Sequence, residues 1–271
     1  MIVNAEGSGG ANRPSQTSTP APTSVPGLVT DSTTAPSTAP VPLGVPAPES
    51  WIVTARPELP EVQILSAPNG EPLTADQSGT GTASPVILEN PTAANAPLTF
   101  LARQRGVSSQ GSMWHEVYLP TRPNGSTGWV ADAQVTISST DLAAVVRLDD
   151  RSLTLYRAGK EIVRYPVATG APDTPTPTGR FAVKELAAPD AATDPQGTYG
   201  PLAYGLTAHS EVPVDTGAFP DGVIGIHGTN QPELIGQSVS SGCIRLSNPN
   251  ILQLQALGVP LGMPVDIVDG T

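Results

Sequence analysis

Cys243 is the single cysteine of this 271-residue chain, and it stands in the run Ser240-Ser241-Gly242-Cys243-Ile244-Arg245-Leu246. His227 lies 16 positions upstream, in Ile226-His227-Gly228-Thr229. A thiol attacks a carbonyl as the thiolate, and a neighbouring imidazole or guanidinium brings the thiolate within reach of neutral pH. Cysteine, histidine and arginine in this arrangement therefore predict nucleophilic acyl transfer. Taken singly, each has a plain structural reading: a small buried apolar group, a hydrogen-bonded core histidine, a surface charge. Together they say more. Gly225, Gly228 and Gly242 let backbone approach a ligand closely. Ile226 and Ile244 read as inward-facing, which turns His227 and Cys243, one step along, toward a shared groove.

The whole chain narrows the setting. It carries a formal charge of −11 and a pI of about 4.5, which argues against nucleic acid as the main partner, because phosphate binding needs a basic patch. Only two lysines occur, Lys160 and Lys184. No run of about 18 apolar residues is present, so no membrane-spanning helix is expected. The start, Met1-Ile2-Val3-Asn4-Ala5-Glu6, lacks the basic and apolar regions of a signal peptide. Either the protein is cytosolic or a leader lies outside this sequence. A leftover cysteine in an exported protein marks a reactive thiol, so compartment and chemistry bear on each other. His115, His209 and His227 with one thiol offer no ligand spacing, and neither metal nor cofactor is expected.

The elements that must position these residues are mostly strands. Residues 1–49 are rich in proline, serine, threonine and alanine, and cannot bury enough surface to offset their ordering entropy; they read as a disordered stalk. Residues 50–138 read as a small all-β unit of short apolar runs separated by turn residues. Its clearest part is Trp114 to Leu119, followed by an Asn124-Gly125 turn and Gly128-Trp129-Val130. Alternation places Trp114, Glu116 and Tyr118 on one face and His115, Val117 and Leu119 on the other. This pattern resembles bacterial SH3-like modules, where Trp114 and Trp129 would serve as barrel core or grip wall polymer. Residues 141–271 read as a second β unit that opens with a meander. Asn248 to Leu257 is the one convincing helix, with Ser247 or Asn248 as N-cap, Pro249 in the first turn and Gly258 as the stop.

On the residues quoted above, the second unit resembles the L,D-transpeptidase (YkuD) family. Its signature is His-Gly-Thr, a spacer, then Ser/Thr-x-Gly-Cys-Ile-Arg. Here that is His227-Gly228-Thr229 and Ser240-Ser241-Gly242-Cys243-Ile244-Arg245. Pro175-Thr176-Pro177-Thr178-Gly179-Arg180-Phe181 is similar to a second family segment. One departure stands out: many members have histidine where this chain has Ser241, so His227 is the motif histidine left to act as base. The resemblance implies a mainly β, sandwich-like catalytic fold with one short helix, beside the SH3-like barrel. It implies Cys243 as nucleophile, His227 as base and the Gly228 carbonyl as the group that orients the imidazole. Backbone N–H groups of Gly242 and Cys243 would line the oxyanion hole. Arg245 would bind a substrate carboxylate, and Ser240 would tie the nucleophile turn. Ser241, Thr229, Tyr204 and His209 are further candidates along the substrate groove.

The implied reaction is peptidoglycan 3→3 crosslinking. Cys243 attacks the L-centre carbonyl of diaminopimelate in a tetrapeptide stem, D-alanine leaves, and an amine of a neighbouring stem takes the acyl group. With water as acceptor the same site is an L,D-carboxypeptidase. The other readings are an inactive wall-binding protein and a cytosolic cysteine hydrolase of unrelated substrate. The resemblance also implies acylation by carbapenems, and the stalk and SH3-like unit fit an exported protein that must reach a wall polymer; whether a leader or tether lies ahead of residue 1 is left open.

Overall fold

A computed structural model describes residues 41–75, 83–213 and 222–270. The first β unit holds a sheet of five antiparallel strands: β1 (Ser50–Ala55), β2 (Thr99–Ser109), β3 (Ser112–Tyr118), β4 (Thr127–Ala131) and β5 (Val135–Thr140), in the order β4-β3-β2-β1-β5. Two ribbons of short strands, Glu61–Gln63 with Ile87–Glu89 and Thr74–Ala75 with Ser84–Pro85, accompany it. Val53, Ile64, Phe100, Val117, Leu119 and Val130 are among the residues of its core. Val117 and Leu119 thus face inward, as alternation predicts, while Glu116 pairs with Trp129 across the strands. His115 accepts from Gly106 N–H at Nδ1 and meets Asp132 through Nε2 at 2.9 Å, so it is a structural histidine.

Beside a short parallel ribbon of Thr169–Gly170 and Ser238–Ser240, the second unit holds a sheet of eight strands and one α-helix. In chain order these are β6 (Leu142–Arg147), β7 (Ser152–Arg157), β8 (Lys160–Pro166), β9 (Gly179–Ala187), β10 (Ala203–His209), β11 (Val223–His227), β12 (Ile244–Arg245), α1 (Asn248–Ala256) and β13 (Pro264–Val268). The sheet order is β8-β7-β6-β13-β9-β10-β11-β12. Its pairs are antiparallel except β6 with β13 and β11 with β12. In a flat sheet Leu155 on β7 and Ile226 on β11 would lie five strand spacings apart, roughly 24 Å. Yet both line one small cavity in the core with Leu254 of α1. The sheet therefore curls around the helix, and one apolar cluster draws on β6, β7, β9, β10, β11, α1 and β13.

The helix begins after Ser247, has Pro249 in its first turn and ends before Gly258, whose φ is +82°. Ser247 makes no side-chain cap bond. Asn248 is drawn away to the loop after β11, as described below.

Most of the proline-rich stalk lies outside the described residues, but its last part departs from expectation. Residues 41–49 are seated on the second unit rather than free. Arg180 binds Asp266 through two bonds of 2.7 Å, Nε to Oδ1 and Nη2 to Oδ2. The same guanidinium donates to the carbonyls of Val41 (2.8 Å) and Pro42 (3.0 Å), and Gly44 N–H donates to Asp266 Oδ2 (2.7 Å). Composition reports apolar burial, whereas this segment is held by backbone groups on a buried ion pair, which composition does not register.

Candidate active site

The register of four neighbouring strands builds the site. Paired residues of adjacent strands share a face of the sheet. Glu185 pairs with Gly205, and Gly205 with Gly225. Ala187 pairs with Ala203, Ala203 with His227, and His227 with Arg245. Between these rows, Tyr204 pairs with Ile226, and Ile226 with Ile244, all on the core side. Cys243 precedes Ile244, so it falls beside Gly225 on the opposite face. The outer face therefore carries two rows: Glu185, Gly205, Gly225, Cys243, and Ala187, Ala203, His227, Arg245.

Gly225 N–H donates to the Cys243 sulfur at 3.4 Å. The Nδ1 of His227 lies 2.6 Å from the Gly228 carbonyl oxygen. That oxygen only accepts, so Nδ1 carries the proton and Nε2 keeps its lone pair. Tyr199 packs its ring against the imidazole, centroids 4.8 Å apart and planes tilted by 60°. Both His227 and Cys243 are buried.

The nucleophile turn is tied from three sides. Ser240 Oγ donates to the Cys243 carbonyl (2.5 Å) and accepts from Gly242 N–H (3.2 Å). Thr176 Oγ1 donates to the Gly242 carbonyl, and Thr174 Oγ1 to that of Ser240. The second motif, Pro175 to Phe181, thus includes a brace for the thiol loop. Gly242 has a φ of +111°, and a Cβ there would lie 2.8 Å from Ile224 Cδ1, so this position takes glycine. Ser241 is exposed at the tip.

Two expectations change here. Gly242 N–H is engaged by Ser240 and is not an oxyanion donor in this state. Tyr204 does not lean over the groove: its pairing with Ile226 turns it into the core, and burial pushes its phenol up to about 12. Tyr199, within a turn and without periodic pattern around it, is the aromatic that touches His227. Thr229 is buried; its N–H donates to Asn248 Oδ1 (2.8 Å), which fixes the chain after His227. His209 pairs with Val223 at the far end of β11, and its backbone exchanges two hydrogen bonds with the side chain of Asn124 (2.9 and 2.8 Å). Arg245 is half-buried, with Nη1 on Gln231 Oε1 (3.2 Å) and, among the described residues, no partner for Nε.

The electrostatics also depart from the expected thiolate. Burial pushes the Cys243 thiol up, against the opposing pull of Gly225 N–H and Arg245. Burial pushes His227 down to about 4; Arg245 adds to this and the Gly228 carbonyl opposes it. The resting pair is therefore a thiol and a neutral imidazole. Desolvation outweighs the neighbouring charge. A stability prediction follows by linkage. Unfolded, His227 takes a proton near pH 6.5; folded, only near 4. As pH falls between these values the unfolded chain binds more protons, and the fold loses about 3 kcal/mol. Denaturant unfolding at pH 7 and at pH 4 should show a smaller acid loss in His227→Gln than in the wild type. Equal losses would contradict it.

Comparison with known proteins places the second unit beside one family. Residues 141–267 match the YkuD family, the L,D-transpeptidase catalytic domain. The YkuD protein of Bacillus licheniformis is 36% identical over 122 residues, covering 45% of this chain and 62% of that protein. YkuD of Bacillus subtilis is 34% identical over 122 residues, with 45% and 63% covered. The chain thus spans about three fifths of the length of the relatives it matches. Among solved structures, an L,D-transpeptidase from Mycobacterium smegmatis has a TM-score of 0.35 and 16% identity, covering 60% of this chain and 93% of that one. No group of three or more metal-ligating side chains gathers among the described residues.

Proposed function

We propose that this protein is a peptidoglycan L,D-transpeptidase that forms 3→3 crosslinks through a thioester on Cys243. The observation that carries the proposal is the shared face: the thiol beside Gly225 and the imidazole one row away, its Nδ1 locked on the Gly228 carbonyl. With Nδ1 committed, Nε2 accepts the thiol proton as sulfur attacks the L-centre carbonyl of the donor. The tetrahedral oxyanion is met by the Cys243 N–H, and collapse expels D-alanine, which takes the proton from His227. An amine of a second stem then attacks the thioester, returning the thiol. Arg245, whose Nε is buried without a partner among the described residues, holds a donor carboxylate. If water attacks instead, the same thioester gives an L,D-carboxypeptidase.

A neutral pair suits this chemistry. The thiol is protected from casual oxidation while protonated, and the base is ready to receive its proton. The first β unit is proposed as an SH3-like module, and the chain as an exported protein whose proline-rich segment spans toward a wall polymer. Carbapenem acylation is expected at the same sulfur. Incubating the full chain with disaccharide-tetrapeptide stems and analysing the products by mass spectrometry tests the reading. A crosslinked dimer lacking one D-alanine is expected. If D-alanine is released with no dimer, the carboxypeptidase stands; if it is never released and no acyl-enzyme forms, the proposal fails.

A further inference from the structure

The row that ends at Cys243 begins at Glu185, and the mechanism above uses nothing there. Between the two lie only Gly205 and Gly225, paired across strands, so the floor carries no side chain. Glu185 folds its side chain over this floor. A Cβ on Gly205 would lie 2.3 Å from its Oε1 and 2.5 Å from its Cγ, so glycine at 205 is what lets the carboxylate lie there. A register shift between Val183 and Glu185 inserts Lys184 as an extra residue in β9 and brings its Nζ to 3.8 Å from Glu185 Oε1. The two side chains keep only 21% and 15% of their exposure. Among the described residues Lys184 is the partner of this carboxylate. An ion pair between adjacent residues contributes little to stability, which leaves its position in the thiol's row unexplained by folding.

Resting on the transpeptidase reading, we infer that Glu185 and Lys184 form the subsite for a donor side chain that ends in both an ammonium and a carboxylate. The carboxylate lies above Gly205 and the sulfur beside Gly225, one to two strand spacings apart, roughly 5 to 10 Å. A stem residue whose L-centre carbonyl sits at the sulfur can lay three methylenes along the glycine floor. That places its second, D-configured centre at Glu185 and Lys184. The ammonium goes to Glu185 and the carboxylate to Lys184, each side chain exchanging its partner in the resting pair for a substrate group of the same sign as that partner. Diaminopimelate has such an end; lysine in the same stem position has the ammonium alone. The subsite therefore selects the donor by the zwitterion at the tip of its third residue.

The test compares acylation of the full chain by two tetrapeptide donors, one with diaminopimelate and one with lysine at the third position. Carbapenem acylation, which offers no such side chain, reports the state of the thiol in each variant. Wild type should favour the diaminopimelate donor. In Glu185→Gln the ratio of tetrapeptide to carbapenem acylation should fall roughly 10- to 100-fold, the scale of one charge-assisted hydrogen bond. In Lys184→Met the diaminopimelate donor alone should lose, bringing the two donors together. Should Glu185→Gln keep the wild-type ratio, or lose carbapenem acylation in equal measure, the subsite is wrong although the transpeptidase stands. Should wild type take neither tetrapeptide, the functional reading falls and the subsite with it.

Discussion

Cys243→Ala should gain no mass from either a carbapenem or a tetrapeptide donor, while the wild-type chain gains one adduct. The chain has one thiol, so no other cysteine can stand in for it. Removing a nucleophile from a site that acts as a unit costs on the order of 10⁴-fold or more in rate. Intact-protein mass spectrometry reads the outcome directly, since an acyl-enzyme adds the acyl group to the whole protein. The substitution removes one buried sulfur from a loop held by other bonds. Ser240 binds the carbonyl of residue 243, and Thr176 the carbonyl of Gly242, so both contacts survive the change of side chain. Thermal unfolding should stay close to wild type, and a variant that is folded yet still adducted would remove Cys243 from the mechanism.

The reach of the sequence can be judged at particular residues. The pairing of His227 and Cys243 was legible because glycine and β-branched neighbours flank both, and alternation alone turns them to one face. The helix was legible because Pro249 and Gly258 bound it in opposite ways. Tyr204 was misplaced because parity along β10 depends on its register with β11, and that register is set by which residue meets Ile226. The thiol's protonation was misjudged because motif residues reveal neighbouring charge but not burial, and here burial has the larger effect. Residues 41–49 were read as stalk because the pair that holds them, Arg180 and Asp266, lies 86 positions apart and each looks like a surface charge on its own. Asn248 was read as a capping candidate; its side chain instead serves Thr229, a contact across 19 positions that no local pattern encodes. The brace from Thr174 and Thr176 spans 66 positions and is invisible for the same reason.

His227→Ala should slow acylation roughly 10²- to 10⁴-fold at neutral pH, the usual contribution of a positioned base. The shape of the pH profile separates this loss from a merely structural one. In the wild type the imidazole stays neutral down to about pH 4, so acylation should hold a plateau from neutral pH into the acid range. It should then fall as protonation removes the base. A histidine of ordinary pKa would instead lose activity near pH 6.5. The variant has no base, and its thiol must ionise into solvent from a buried site that holds it protonated. Its rate should therefore rise about tenfold with each unit of pH across the neutral range, because the thiolate fraction does. Stopped-flow loss of carbapenem absorbance measures both profiles. A flat profile at near-normal rate in His227→Ala would mean that some other group takes the thiol proton. An acid limb near pH 6.5 in the wild type would mean that the imidazole is not desolvated as its burial between Tyr199 and the Gly228 loop requires. A variant that is slow at every pH, with the wild-type shape retained, would assign His227 to holding the loop rather than to moving the proton.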